Sequence, residues 1–404
     1  MCLSLLFVQL GFVHFDQTDQ KKYLAVLSRL SEGGAIDELG IGRIRDFYSD
    51  RLFPGISTLH QHAKYFSLMP LLYREAVKGN KYYRLEDVRP AIRYLEIEMT
   101  KRLCKGSPGA YGITGSDSIQ SGNYVKYDPA YIYGTALRTY GIVRTDNIES
   151  VIFYASKKYH ERPVKLSATD QEQGDSDDVD SVFSFCVCPS NLEYNWLAEC
   201  SLELTPNEAS FIREHILAAK ACENTLLHYI LENKLFLRDD DVSSLESFLA
   251  LHGSRLPEKL KNDITLASHF SDLVDGLFLY YNWLFSEKTD MKVWKEFQAW
   301  REDIFLHERN GMMESVTLPI ISDNGPKRFC QEAIRLIESE DWTQMDRLVK
   351  NRERSIKGSR YKIGNAKGRQ LYEETGRIHG YKVDFRWGKV RILVNEILGG
   401  LGDE

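Results

Sequence analysis

The residues best suited to chemistry lie between Thr343 and Gln370. Nine cations, Arg347, Lys350, Arg352, Arg354, Lys357, Arg360, Lys362, Lys367 and Arg369, stand there against Asp346 and Glu353. The segment carries +7 and the remainder of the chain −13, so a net charge of −6 hides a strong local asymmetry. Cations interleaved with Tyr361 and with Gly358, Gly364 and Gly368 suit a flexible contact to phosphates. Charge neutralisation supplies the affinity of such a contact, and backbone N–H groups add reach. Arg386, Lys389 and Arg391 would extend the basic face. The expected partner is nucleic acid, DNA ahead of RNA; a solvated charged helix and loop, or an acidic protein partner, is the plain alternative.

Patterns for catalysis are weaker. Glu232-Asn233-Lys234 matches the Glu-x-Lys fragment of a nuclease motif in which carboxylates hold Mg²⁺ and lysine steadies the attacking water. It falls at a helix end, whereas that motif sits on a strand. The Gly-rich stretch Gly106–Gly115 lacks the Lys-Ser or Lys-Thr that phosphate-binding loops place at the next helix start, and so reads as a connection. Cys186 and Cys188 invite comparison with metal ligands, with Cys200 as a third, but buried thiols are the better reading. His215, His228 and His269 have no His partner at i, i+4. No cofactor is implied, and the balance lies with binding rather than catalysis.

The elements that must position these residues are mostly helices. Asp37–Phe66 is the organising stretch: a short helix, then a tight turn at Phe53-Pro54-Gly55, then Ser57 or Thr58 as the cap of a helix over 59–76 containing Pro70. Three helices follow, over 85–103, 130–140 and 148–159, in an order resembling a winged-helix or helix-turn-helix unit. Arg138, Arg144, Lys157 and Lys158 would let that unit read DNA. Residues 167–180, with five aspartates and a glutamate, are too polar to bury. Val182–Cys188 alternates partly, as a strand does. Thr205-Pro206-Asn207-Glu208 and Ser243-Ser244-Leu245-Glu246 are helix starts, for helices over 207–233, 245–252, 257–285 and 290–308. Tyr381–Trp387 reads as a strand and 388–398 as a closing helix anchored by Trp387.

Composition narrows the class. A chain of 404 residues, 43% hydrophobic and 12% aromatic, can bury a sizeable core. Seven cysteines without a Cys-x-x-Cys fit a reducing cytoplasm better than a disulfide framework. Leu3–Phe12 is apolar but too short to span a bilayer and lacks a preceding basic region, so it reads as a buried first strand, and no membrane partner is expected.

Several stretches carry a resemblance to a known family: Leu10-Gly11-Phe12-Val13-His14-Phe15, Asp37-Glu38-Leu39-Gly40-Ile41-Gly42 with Ile44-Arg45-Asp46, and Leu52-Phe53-Pro54-Gly55 with Ser57-Thr58 and Tyr65-Phe66. Asp128–Tyr133 with Leu137 and Tyr140-Gly141-Ile142, and Asp384-Phe385-Arg386-Trp387-Gly388-Lys389-Val390-Arg391, extend it across nearly the whole chain. Together they resemble a bacterial family catalogued only as a domain of unknown function. Its members lie in antiviral defence gene clusters beside helicase and phospholipase-D-like nuclease genes. The resemblance implies that context and supplies no catalytic residue. Where the family often has an Arg-rich segment after Ser-Thr, this chain has His60-Gln61-His62-Ala63-Lys64.

The expectation is therefore a mainly α protein with small β elements: a multi-helix amino-terminal half with a winged-helix-like unit, and a carboxy-terminal helical bundle with a short terminal β/α element. Its divisions would be an α-rich domain over 1–165, an acidic flexible loop over 166–181, a helical domain over 182–340 and a basic segment over 341–404. In function it would be a non-catalytic subunit of an anti-phage system, binding nucleic acid, partner helicase or nuclease subunits, or both. A metal-dependent nuclease with an unrecognised site and a purely protein-binding scaffold are the alternatives.

Overall fold

The computed structural model describes residues 38–120, 125–161, 181–190, 196–198, 200, 201–238, 242–317, 324–378 and 382–402. The expected first strand, the helix expected after it and all but the end of the acidic loop lie outside these. In chain order the helices are α1 (Gly42–Leu52), α2 (Lys64–Gly79), α3 (Val88–Gly106), α4 (Ser116–Gln120), α5 (Pro129–Thr139), α6 (Ile148–His160), α7 (Pro206–Ala218), α8 (Leu226–Glu232), α9 (Leu245–His252), α10 (Glu258–Phe285), α11 (Met291–Trp300), α12 (Leu306–Thr317), α13 (Asn324–Glu338), α14 (Trp342–Lys357), α15 (Ala366–Thr375) and α16 (Trp387–Gly400). The protein is mainly α-helical, and among the described residues there is no sheet.

Packing groups the chain into two units, each discontinuous in sequence. The first takes residues up to Arg45 together with Leu266–Val383; the second takes Asp46–Thr265 together with Asp384–Glu404.

The second unit is built around α2, most of whose residues are buried. The helix runs through Pro70 and starts later than the sequence predicts, at Lys64. Ser57 and Thr58 do not cap it. The amides ahead of the helix are met from elsewhere: Ala63 N–H donates to Glu396 Oε2 at 2.6 Å, and those of Gln61 and His62 donate to the Tyr133 hydroxyl at 3.1 and 3.2 Å. Glycine permits the positive φ of Gly55 (+81°), and the Tyr140 hydroxyl donates to the carbonyl of the adjoining Pro54 at 3.1 Å. Lys64 and Glu208, both buried, pair at 2.6 Å and join α2 to α7. At α7 the Thr205–Glu208 capping box is present as read. The long helix expected over 207–233 is broken at Ala219, where a 3₁₀ turn over Lys220–Cys222 separates α7 from α8.

α16 closes this unit. Its Trp387 indole donates to the Val242 carbonyl at 2.9 Å and packs between Phe53 and Phe248. The strand expected over 381–387 does not form in its described part. Phe385 and Arg386 take positive φ of 48° and 70°, a turn that no strand accommodates, and this turn seats Phe385 against Tyr48. The strand expected at Val182–Cys188 is likewise reduced to a single antiparallel bridge between Val143 and Cys186, because Ser181 and Val182 lie in a helical turn. With no paired strands beside α3–α6 among the described residues, the winged-helix expectation loses its wing.

The first unit is centred on the part of α10 from Leu266 onward. Tyr280, Trp294, Phe297, Trp300 and Trp342 form one aromatic cluster, with ring centroids 5.1–6.0 Å apart along its contacts. The helix expected over 290–308 continues to Thr317, and between α11 and α12 its backbone widens into a π turn over Arg301–Phe305. α13 and α14 form an antiparallel hairpin through Ser339–Asp341, and Asp341 caps α14 by accepting from Gln344 N–H at 3.0 Å.

Candidate nucleic-acid interface

The basic segment forms α14, a 3₁₀ turn at Gly358–Arg360, and α15. Its cations divide by burial. On α14, Met345, Val349 and Glu353 recur at four-residue spacing and are buried. The 100° step of the helix puts Arg347, Lys350 and Arg354 within about 60° of arc away from that face. Among the described residues Arg347, Lys350, Arg360 and Lys367 make no ion pair, and all but the half-buried Lys350 are exposed. Arg354 is exposed and lies over the Tyr361 ring at 4.9 Å. Arg369 is exposed too but shares its charge with Glu373 at 3.2 Å and Glu287 at 3.5 Å.

Three cations of the segment hold the unit together instead. Arg352 donates from Nε to the Leu39 carbonyl at 2.8 Å and from a terminal nitrogen to that of Gly40 at 3.1 Å. Gly40 has a φ of +60°, and a Cβ there would strike the Ile356 side chain. Lys362 and Lys357 meet Glu38 at 2.9 and 3.5 Å. Beneath them Glu353 is fully buried; its carboxylate accepts from the Tyr281 hydroxyl at 2.6 Å and from the amides of Lys362 and Ile363 at 2.9 and 3.0 Å. Burial, followed by the two carboxylates Glu353 and Glu38, pushes the Tyr281 hydroxyl far above its ordinary pKa.

Between α13 and α14 runs a groove of about 540 Å³ whose lining includes Arg328, Arg335, Arg352, Gln331, Asn351 and Glu332. Arg328 and Arg335 lie upstream of the basic segment, and sequence reasoning passed over them. The available signal was their spacing of two helical turns on one face of α13.

Arg386, Lys389 and Arg391 belong to the second unit and serve its packing. Arg386 bonds to Asp50 and to the Ile56 carbonyl, both at 2.6 Å. Lys389 donates to Gln61 Oε1 at 2.8 Å, and burial lowers its pKa. Arg391 donates to the Leu237 carbonyl at 3.0 Å. Of the four cations noted on the expected DNA-reading unit, Arg138 faces Asp146 at 3.6 Å, Lys157 lies over Phe153, Lys158 donates to Ser181, and the amide of Arg144 bonds to Phe185.

Glu232-Asn233-Lys234 closes α8. Asn233 donates from its side chain to the Tyr229 carbonyl at 2.8 Å, and Lys234 turns the chain with a φ of 51°. Cys186 and Cys200 are buried and Cys188 is half-buried, all as free thiols. Among the described residues no three His, Cys, Asp or Glu side chains come together as metal ligands would, and no helix is long and apolar enough to cross a membrane.

The fold is thus that of a mainly α-helical protein displaying a basic helical hairpin and its following turn. A family described as a family of unknown function (DUF6361) matches residues 7–289, well over half of the chain, and the chain belongs to that family. No curated protein and no solved structure matches it.

Proposed function

We propose that this protein is a non-catalytic, nucleic-acid-binding subunit, and that its phosphate contact runs along Arg347, Lys350 and Arg354 to Arg360 and Lys367. The single observation that carries the reading is the division of the basic segment. Its inward cations are neutralised by Glu38 or bonded to backbone carbonyls, while these five make no ion pair among the described residues. An exposed cation with no local acid can exchange condensed counterions of a nucleic acid for itself, which is the main source of sequence-independent affinity. DNA is the favoured partner. The anti-phage setting, with helicase and nuclease subunits as protein partners, rests on the family resemblance alone.

The test is fluorescence anisotropy of labelled double-stranded DNA across a salt series, with a variant carrying Arg347→Glu, Lys350→Glu, Arg354→Glu and Arg360→Glu. Affinity that falls steeply with salt in the parent and is lost in the variant supports the reading; the salt slope should drop by about one for each phosphate contact removed. Equal binding by the two proteins, or none by either, sinks it and turns the search to protein partners.

A further inference from the structure

The second unit carries a cluster of chemistry that the basic segment does not use. Arg89, Pro90 and Arg93 of α3, with Val125, Lys126 and Asp128 of the connection ahead of α5, line a cavity of about 500 Å³. Close in the chain to its lining residues Lys126 and Asp128, Tyr127 and Tyr131 are stacked, with centroids 5.0 Å apart and planes 28° from parallel, yet 42% and 62% exposed. Lys126 lies over the Tyr127 ring at 5.1 Å. Tyr94, four residues beyond Pro90 on α3, is 64% exposed. The fold buries Tyr133 and Tyr140 of the same helical region completely or nearly so.

The platform is fixed from below. Asp128 is buried, accepts from Tyr131 N–H at 2.8 Å and is paired with Arg89. Glu96, also buried, accepts from Ala130 N–H at 2.8 Å. Two buried carboxylates therefore hold the first turn of α5, and the tyrosines project from a backbone that has little freedom to collapse onto them.

The geometry points to a binding site for single-stranded nucleic acid, in which an unpaired base extends the tyrosine stack on the more exposed ring, Tyr131, held in place by Tyr127, and the backbone phosphates follow Arg93 and Lys126. The face of a base is available only when it is unpaired, since a duplex presents edges and phosphates. Stacking on an aromatic ring is sequence-tolerant, and cations alongside supply the salt-dependent share of affinity. The site lies wholly within the second unit and does not depend on the cations of α14.

The experiment measures the affinity of a fluorescein-labelled oligothymidylate for the full chain in which Arg347, Lys350, Arg354 and Arg360 are already reversed to glutamate. Into that background go either Tyr127→Ala with Tyr131→Ala or Tyr127→Phe with Tyr131→Phe. The background should still bind the oligonucleotide, the alanine pair should weaken it by about ten-fold or more, and the phenylalanine pair should keep it. A labelled duplex should not distinguish the three proteins. No binding by the background protein, equal binding by the alanine pair, or equal loss with alanine and phenylalanine would each overturn the site. None of these outcomes touches the phosphate contact of the basic segment, which is read in the parent protein. Both substitutions fall on exposed rings, and an unchanged thermal midpoint checks that the fold is intact.

Discussion

Glu353 accepts a hydrogen bond from the Tyr281 hydroxyl at 2.6 Å with both side chains shut off from solvent, so the most basic stretch of the chain is seated on a buried carboxylate. The carboxylate also takes two backbone amides where α14 gives way to the following turn. Tyr281→Phe removes one of three donors to a buried charge and should cost about 1–3 kcal/mol in urea unfolding. Glu353→Ala strands all three donors and should cost more than Tyr281→Phe. A Tyr281→Phe protein with an unmoved urea midpoint would show that the bond contributes no net stability.

The cations of the segment should separate into two classes when removed singly. Lys362→Ala takes the nearer partner from Glu38 and should lower the thermal midpoint. Arg360→Ala and Lys367→Ala touch no acid among the described residues and should leave the midpoint within the scatter expected of surface changes, about ±0.5 kcal/mol. DNA affinity should show the reverse order. Loss of affinity that tracked loss of stability across the three variants would contradict the division.

His60 supplies a pH dependence of defined sign. Its Nδ1 accepts from Ser57 N–H at 3.3 Å and its Nε2 faces the Ile132 carbonyl at 3.1 Å, which suits a neutral ring protonated on Nε2. Burial, offset in part by the Ile132 bond and aided by Arg386 and Lys389, lowers its pKa to about 4. The unfolded chain would take up this proton near pH 6.5. Stability is therefore full above that pH and is lost as pH falls towards 4, by on the order of 3 kcal/mol. Urea midpoints at pH 7.5 and 5 should differ more in the parent than in His60→Gln. The same difference in both would assign the dependence to other groups.

Gly276 should resist the substitution that helix propensity favours. It lies inside α10, and an added Cβ would enter the Trp300 indole, whose Nε1 donates to the Asp272 carbonyl at 3.0 Å. Gly→Ala in a helix interior normally stabilises by about 0.5–1 kcal/mol. Here crowding against a buried ring should reverse the sign and cost about 1–3 kcal/mol. A raised thermal midpoint in Gly276→Ala would refute this packing account.

The sequence disclosed the helices well because their signals are local. Caps at Asp128 and Thr205 and apolar spacing along α3, α10 and α16 are written within a few residues of what they specify. It disclosed the strands badly, since alternation at Val182–Cys188 has no access to whether a second strand lies beside it. The site was legible as a charge total and illegible as a division. Nothing near Lys362 announces Glu38, 324 residues away, so a cation that neutralises a buried acid counts the same as one facing solvent. Tyr131 stands within the family's motif and Tyr127 one residue ahead of it, and neither announces a site, because exposure of a tyrosine is a property of the packing around it.

The discontinuity of the second unit bears on how the protein is made. Phe53 and Phe248 wait for Trp387, and the Val242 carbonyl waits for its indole. The whole of Leu266–Val383 must be translated before that side chain exists. Throughout that interval the emerging chain displays an unfilled aromatic socket. Such exposed apolar surface is what chaperones recognise and what drives premature association of nascent chains.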